Sequence, residues 1–221
     1  MNTTIIGSGV AAWTLVRELR KASPESSIRL ITADAGDFYS KPMLSNAFAS
    51  NKTAESLLMN PAAKLAEQQT TELHIHTRVT RIDRSSKKVV TDRGEFAYDQ
   101  LVLALGADTI VLPIAGDGAA DAISVNDLWD YAKFRKLVDG KQQVAVLGAG
   151  LIGCEFANDL LKAGIKTTVF DLADRALSRL LPPEGSAFLE SKLAAQGVSW
   201  KLGRTVQEIK KDGSQYILMD S

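Results

Sequence analysis

The feature that most constrains the fold is a glycine-rich segment that occurs twice. Residues 3–16 read TTIIGSGVAAWTLV, and residues 146–160 read VLGAGLIGCEFANDL. In each segment a short apolar run leads into closely spaced glycines and then into a helical pattern. This order of strand, turn and helix is typical of a cradle in which backbone N–H groups bind a pyrophosphate. We therefore predict an α/β protein with two Rossmann-like three-layer nucleotide-binding domains.

The second glycine segment predicts a complete cradle. Gly148 permits a tight turn, Gly150 lets a pyrophosphate approach the backbone, and Gly153 lets the helix pack against the strand. Asp171 falls at the end of the next predicted strand, KTTVFDL, where a carboxylate can bond the ribose hydroxyls. A plain strand–helix turn is the alternative, but strand, helix and acid all fall at the expected places.

The first glycine segment departs from the full pattern at one position. Gly7 and Gly9 match, while the third position holds Ala12, which is still small enough for close packing. The second strand ends in ITAD, so either Asp34 or the backbone around Ala33 is expected to meet the ribose. A plain turn remains an alternative here as well.

The two cradles predict two domains joined by a linker. The stretch VLPIAGDGAADAISV carries Pro113, Gly116 and Gly118, residues that are typical of loops. We place the first domain at 1–113 and the second at 114–221. A predicted helix, NDLWDYAKFRKLV, leads into the second cradle.

Composition and charge exclude several classes of function. The chain has 26 basic and 26 acidic residues, so it lacks the basic excess of a general nucleic-acid binder. No apolar run reaches the length of a membrane span and no leader pattern opens the chain, which predicts a cytoplasmic protein without membrane insertion. The single cysteine, Cys154, excludes an internal disulfide. His74 and His76 are too few for a closed zinc site, so no metal is expected.

Two further segments carry a resemblance to a known family. With its two cradles, its YSKPMLS segment at 39–45 and its LVLALGA segment at 101–107, the chain resembles the FAD-dependent pyridine nucleotide-disulfide oxidoreductases. YSKPMLS is similar to the segment beside the flavin in rubredoxin–NAD reductases and flavorubredoxin reductases. LVLALGA is similar to the family's ATG element, with Gly106 matching and Leu105 replacing the threonine. The resemblance implies that the two Rossmann-like domains have the FAD/NAD(P)-binding fold, with FAD in the first domain and NADH in the second.

The resemblance also implies roles for single residues. Lys41 and Pro42 would lie near the FAD, although Lys41 also fits a solvated lysine ahead of a helix that has Pro42 in its first turn. Val79 would meet the adenine through its backbone, with an ordinary strand valine as the alternative. Glu155 would lie near the nicotinamide, and a carboxylate is in any case favourable near a helix start.

The route of the electrons follows from the cysteine count. The flavin-side segment FYSKPMLSNAF holds no cysteine, so it has no thiolate nucleophile. We expect Cys154 to be a small packed hydrophobe, and we assign no catalytic residue. Direct transfer from flavin to a one-electron acceptor remains, and the resemblance implies rubredoxin or a similar small iron protein. Flavorubredoxin or ferredoxin reductase, and a non-catalytic nucleotide-binding fragment, are alternatives.

The resemblance carries one expectation about the extent of the chain. Family members continue beyond the position of Ser221 into the rest of the NAD domain, a Gly-Asp element that closes the FAD site, and a C-terminal interface domain. Both domains are therefore expected to be incomplete here, with the C-terminal part of the family fold missing. A chain of this extent is expected to hold FAD poorly and not to be a fully competent enzyme by itself.

Overall fold

The computed structural model describes all residues from Met1 to Ser221, and these divide into two compact units. The first unit holds residues 1–40 and 55–108, and the second holds 41–54 and 109–221. The segment 41–54 thus packs with the second unit, although its sequence neighbours on both sides belong to the first. The domain boundary at 113/114 stays a prediction.

The first unit is built on a four-stranded parallel sheet with the strand order β5-β2-β1-β9. Its strands are β1 (Asn2–Ile6), β2 (Ser27–Ile31), β5 (Glu72–His74) and β9 (Gln100–Leu103). Helix α1 (Val10–Ala22) joins β1 to β2, whereas β9 lies on the other side of β1. The strand order therefore reverses at β1, and the carboxyl ends of β1 and β9 border the crevice where parallel sheets bind ligands.

Smaller elements complete the first unit. A two-stranded antiparallel ribbon, β3 with β4, and a three-stranded antiparallel sheet, β6-β7-β8, accompany the parallel sheet. Their bounds and those of the two short helices are β3 (Phe38–Tyr39), α2 (Ala54–Leu57), β4 (Leu58–Asn60), α3 (Ala62–Gln68), β6 (Val79–Asp83), β7 (Lys88–Thr91) and β8 (Gly94–Ala97).

The core of the first unit lies between α1 and the parallel sheet. Trp13 and Val16 of α1 pack with Ile5 and Leu30 from the strands, all of them buried. The indole N–H of Trp13 donates to the carbonyl of Gly36 at 3.0 Å, which satisfies its one polar atom. The buried apolar face therefore fixes α1 against the strand that carries the glycine turn.

The second unit holds a three-stranded parallel sheet with the order β10-β11-β12 and an antiparallel hairpin. A 3₁₀ helix, Lys41–Asn46, comes from the inserted segment, and another, Ala119–Asp121, precedes the sheet. The helices and strands are α4 (Leu128–Val138), β10 (Gln143–Leu147), α5 (Leu151–Lys162), β11 (Lys166–Asp171), α6 (Pro183–Gln196), β12 (Val198–Leu202), β13 (Val206–Asp212) and β14 (Gln215–Asp220).

Small residues bring α5 close to the sheet of the second unit. Cys154 and Ala157 of α5 pack with Val169 of β11 and with Val198 and Leu193. The predicted α/β class with parallel sheets is confirmed. None of the helices combines the length and apolarity that a membrane crossing requires.

Candidate nucleotide-binding sites

The second glycine turn has one glycine for each of three physical tasks. Gly148 follows β10 with φ +113° and donates its N–H to Phe170 at 2.7 Å. A Cβ on Gly153 would lie 1.9 Å from the carbonyl oxygen of Gly148, so only glycine lets α5 begin this close to the strand. A Cβ on Gly150 would meet no protein atom within 4 Å. Gly150 therefore borders open space, as a position that faces a ligand must.

Asp171 is fixed by the loop that it faces. Its Oδ2 accepts a hydrogen bond from the backbone N–H of Ala149 at 2.5 Å, and its Oδ1 accepts one from Ala173 at 2.7 Å. Each carboxylate oxygen has a second lone pair that can accept from a ribose hydroxyl. The carboxylate thus stands at the end of β11 in a set orientation beside the glycine turn.

The first cradle repeats this construction. Gly7 has φ +108°, and a Cβ there would lie 2.1 Å from the carbonyl oxygen of Ala104, after β9. Gly9 caps α1, and a Cβ there would meet nothing within 4 Å. Ala12 is fully buried at the third position, where a larger side chain would push α1 from the sheet. Both cradles therefore have an open glycine at the N-cap of the helix, but the crowded glycine is the first one in this cradle (Gly7) and the last one in the second cradle (Gly153).

The acid of the first cradle is engaged differently. Oδ1 of Asp34 accepts hydrogen bonds from Ser8 at 2.9 Å, from Thr32 at 2.6 Å and from the backbone N–H of Gly36 at 2.9 Å. The Ser8 hydroxyl lies between the two turn glycines, so Asp34 braces the turn itself. Asp34 and Ala33 are exposed at this edge, and both fit the predicted ribose position.

Both cradles leave backbone donors available at a helix N-terminus. Gly9 and Gly150, the N-cap residues of α1 and α5, provide no side-chain cap for the first N–H groups. Uncapped N–H groups and the positive end of the helix dipole favour an anionic group there. The residues therefore fit a dinucleotide pyrophosphate in each unit.

Gly106 and Val79 have different surroundings in the first unit. Gly106 is exposed beyond β9 with φ +70°, a conformation that favours glycine. The side chain of Val79 packs with Ile6, Ile31 and Val89, as expected of an ordinary valine in a strand. A backbone contact of Val79 with adenine stays a prediction.

The segment 41–54 packs on α5 through two carboxylates. The hydroxyl of Ser45 donates to Oε2 of Glu155. One helical turn further, Asp159 accepts from the backbone N–H of Phe48 at 2.7 Å and of Ala49 at 3.3 Å. Asp159 is only 4% exposed, and this burial raises its pKa. Glu155 and Asp159 of α5 therefore both accept hydrogen bonds from the segment 41–54.

Helix α4 holds the far end of the same segment. The Tyr131 hydroxyl and the Arg135 guanidinium both donate to the carbonyl of Lys52, at 2.9 and 2.8 Å. The Phe134 ring stands edge-on to Phe48 and to Phe156, with centroids 5.5 and 5.2 Å apart. No sequence pattern indicates this packing, because these partners are far apart in the chain.

Lys41 and Pro42 lie at the exposed start of this segment. They belong to the 3₁₀ helix Lys41–Asn46 of the second unit. Pro42 stands in the first turn of that helix, as the sequence indicated. Their placement near FAD stays a prediction, as do the cofactor roles of the other candidate residues.

Cys154 is buried on the sheet side of α5. It is 6% exposed, and its Sγ lies 3.5 Å from the carbonyl oxygen of Ala149. Burial, with a smaller contribution from the charge of Asp171, raises the pKa of the thiol to about 11. The thiol is therefore protonated at neutral pH and is a poor nucleophile.

The two histidines lie in ordinary surroundings. Nε2 of His74 pairs with Glu72 at 2.8 Å, and the His74 ring packs on Phe96. His76 adopts a left-handed backbone conformation with φ +48°. No group of three or more His, Cys, Asp or Glu side chains is placed to hold a metal ion.

Comparison with known proteins identifies related chains. The whole chain, residues 1–221, matches the family described as pyridine nucleotide-disulphide oxidoreductase. It is 45% identical to a rubredoxin-NAD(+) reductase of Alcanivorax borkumensis over 199 residues, which cover 90% of this chain and 52% of the relative. It is 43% identical to a nitric oxide reductase FlRd-NAD(+) reductase of Pectobacterium atrosepticum over 207 residues, which cover 94% of this chain and 54% of the relative. The chain thus spans about half the length of the curated relatives it matches.

Solved structures share the fold. The reductase in a covalent putidaredoxin reductase–putidaredoxin complex superposes with a TM-score of 0.90 at 30% identity, over 99% of this chain and 54% of the other. A ferredoxin reductase from Rhodopseudomonas palustris gives a TM-score of 0.90 at 29% identity, over 100% of this chain and 55% of the other. The structural match therefore extends over both units.

Proposed function

Because the chain belongs to the pyridine nucleotide-disulphide oxidoreductase family, we propose that it serves an NADH-dependent flavoprotein reductase. In this proposal electrons pass from NADH through FAD to a small one-electron iron protein, first of all rubredoxin. The observation that carries the proposal is the pair of like-built cradles, each with an open glycine at an uncapped helix N-terminus. Two cradles in one chain suit two nucleotide cofactors.

The second cradle is assigned to NADH and the first to FAD. Gly148, Gly150 and the start of α5 would hold the pyrophosphate of NADH, while Asp171 would orient the ribose. Gly7, Gly9 and α1 would hold the pyrophosphate of FAD. When bound, the flavin supplies the chemistry that links two-electron donors to one-electron acceptors. The chain's own residues bind and orient the two cofactors.

The acceptor is proposed to lie outside the chain. The single cysteine is buried, and its pKa is raised, so no thiolate relay is built from these residues. The relatives in Alcanivorax and Pectobacterium are named for rubredoxin and for a flavorubredoxin (FlRd) as acceptors. The putidaredoxin and ferredoxin reductases are more distant in sequence. We therefore rank the proposed electron acceptors with rubredoxin first, flavorubredoxin second and ferredoxin third. We also propose a cytoplasmic location.

Cofactor titration followed by an acceptor panel tests the proposal. The purified chain is titrated with NADH and with FAD by fluorescence. NADH oxidation is then measured with FAD present and rubredoxin, flavorubredoxin or ferredoxin as acceptor. We expect NADH to bind and FAD to bind only weakly, so FAD is supplied in excess in the acceptor assay, and rubredoxin should then be reduced fastest. Failure to bind NADH, or to bind FAD even in large excess, would overturn the proposal, while binding of both without reduction of any acceptor would favour a non-catalytic nucleotide-binding role.

A further inference from the structure

The contact between Ser45 and Glu155 is not required for binding of a pyrophosphate or a ribose. Ser45 is 2% exposed, and its hydroxyl donates to Oε2 of Glu155 while accepting from Nδ2 of Asn46 at 3.2 Å. The hydrogen bonds of the structure engage only this oxygen of the carboxylate. Oε1 of Glu155 therefore keeps its full capacity to accept from a ligand.

The pair lies on a defined side of the second cradle. A dinucleotide with its pyrophosphate at Gly150 and its adenosine ribose at Asp171 must direct its other half away from β11. The segment 41–54 packs on α5 through Glu155 and Asp159, and on α4 through Tyr131 and Arg135. Cys154 and Ala157 occupy the face of α5 that packs on β11, so Glu155, with Ser45, lies off that face, where the nicotinamide half would have room.

The surroundings of Ser45 make it a rigid support. A glutamate side chain loses much rotational freedom when it is held in one orientation, so an isolated Glu155 would bind a ligand with an entropic cost. Ser45 is buried in a 3₁₀ helix whose following residues, Phe48 and Ala49, are fixed by Asp159. The cost of ordering Glu155 is therefore met when the chain folds rather than when it binds a ligand.

We propose that Ser45 is a positioning residue that holds the Glu155 carboxylate for the nicotinamide half of NAD(H). The carboxamide of nicotinamide carries an NH₂ group that would donate to Oε1, and the pyridinium ring of NAD⁺ would be attracted by the negative charge. Ser45 acts through Glu155 and does not itself contact the nucleotide. The inference rests on the proposed binding of NADH to the second cradle.

Paired ligands separate this role from a merely structural one. NAD⁺ and ADP-ribose share the adenosine, pyrophosphate and second ribose, but ADP-ribose lacks nicotinamide. Calorimetric titration of the chain with each ligand is compared among the unmutated protein, Ser45→Ala, Ser45→Thr, Glu155→Gln and the double variant that combines Ser45→Ala with Glu155→Gln. Ser50→Ala is the matched control, because Ser50 lies in the same segment and is exposed.

We expect Ser45→Ala to weaken NAD⁺ binding by about three- to tenfold, the effect of one lost hydrogen bond of about 1 kcal/mol. ADP-ribose affinity should stay within about twofold, and Ser45→Thr should restore most of the NAD⁺ affinity, since it keeps the hydroxyl. In the Glu155→Gln background, Ser45→Ala should have a smaller effect, because the two changes disrupt one interaction. Should Ser45→Ala fail to fold, Glu155→Gln must still weaken NAD⁺ selectively.

Two results would overturn the inference. Equal weakening of NAD⁺ and ADP-ribose by Ser45→Ala would show that the serine only supports the cradle, as would full additivity with Glu155→Gln. Failure of the unmutated chain to bind ADP-ribose would instead overturn the proposed cradle function, and this inference with it. The outcomes therefore distinguish a wrong position for nicotinamide from a wrong function.

Discussion

The backbone N–H of Ala149, between the two turn glycines, donates a 2.5 Å hydrogen bond to the carboxylate of Asp171. This bond fixes a negative charge at the end of β11, close to the turn where a pyrophosphate would lie. The charge is therefore set in place before any nucleotide binds. A second phosphate on the adenosine ribose would meet it at short range.

We predict that the chain prefers NADH to NADPH because of Asp171. Two unit charges about 4 Å apart repel by roughly 4 kcal/mol at an effective dielectric constant of 20, and screening reduces this. Asp171→Asn keeps an acceptor oxygen for Ala149 but removes the charge, so the preference should fall about tenfold or more. The measurement is the ratio of the Kd values for the two nucleotides.

Asp174→Asn is the control for this preference. Asp174 lies in the same loop, but its side chain is 83% exposed and pairs with Arg175 at 3.3 Å. Solvent screens such a charge, so its loss should change the ratio much less. Equal affinities of the unmutated chain for NADH and NADPH would contradict the assignment of Asp171.

Two glycines of one turn should respond to alanine in opposite ways. Gly153→Ala places a Cβ against the carbonyl of Gly148 and should lower the free energy of unfolding by about 1–3 kcal/mol or more. Gly150→Ala adds a methyl group where no protein atom lies within 4 Å, at φ −75°, so stability should change little. NADH affinity should nevertheless fall about tenfold or more in Gly150→Ala, because the methyl group takes the space of the pyrophosphate.

Thermal unfolding and NADH titration of both variants check this pair. Gly7→Ala and Gly9→Ala repeat the comparison in the first unit with FAD as the ligand, since Gly7 is crowded and Gly9 is open. Normal NADH affinity in a stable Gly150→Ala variant would show that the nucleotide binds elsewhere.

The thiol of Cys154 should take no part in electron transfer. Cys154→Ala is expected to change the rate of acceptor reduction by NADH by no more than a few-fold, with some loss of stability from the smaller side chain. In the folded chain Cys154 should also resist Ellman's reagent near pH 8, because burial raises its pKa to about 11. A variant that folds and binds both cofactors but reduces no acceptor would disprove transfer without sulfur.

Asp159 should control how firmly the segment 41–54 is held. Asp159→Ala removes the acceptor of two backbone N–H groups and should destabilise the chain by about 2–4 kcal/mol. Hydrogen exchange at Phe48 and Ala49 should accelerate strongly. Asp159→Asn keeps one acceptor oxygen and should protect these amides in part. Equal exchange rates in both variants would show that Asp159 does not hold the segment.

The sign of the pH dependence at Asp159 follows from its raised pKa. An acid with a higher pKa in the folded state contributes stability at low pH and loses that contribution as the pH rises through the folded pKa. The free energy of unfolding of Asp159→Asn, relative to that of the unmutated chain, should therefore be higher at pH values above that pKa than at pH values below it. Urea unfolding of both proteins at several pH values measures the difference.

Local chemistry made much of the fold predictable from the sequence. Gly148, Gly150 and Gly153 stand between an apolar strand and an amphipathic helix, and each element depends mainly on nearby residues. The strands and helices around both cradles therefore lie where the patterns placed them. Asp171 could be placed for the same reason, because it ends a strand that pairs directly with β10.

Long-range packing was beyond the reach of those patterns. Nothing local indicates that Phe48 packs on Phe134 or that Ser45 meets Glu155, which are far apart in sequence. The resemblance of the YSKPMLS segment implies a nearby cofactor but does not indicate to which unit the segment belongs. A carboxylate on a helix also fits solvent, so the burial of Asp159 gave no signal in the sequence.

The assignment of residues 41–54 to the second unit changes where related reductases can be recombined. A chimera joined once, at the linker, would combine Asn51 and Phe48 of one parent with Arg135 and Asp159 of the other, and so would mismatch the contacts that anchor the segment. Exchange of the intact second unit requires three crossovers, at 40/41, 54/55 and 108/109. Libraries of hybrid reductases built on this plan should contain more folded members than libraries with a single junction.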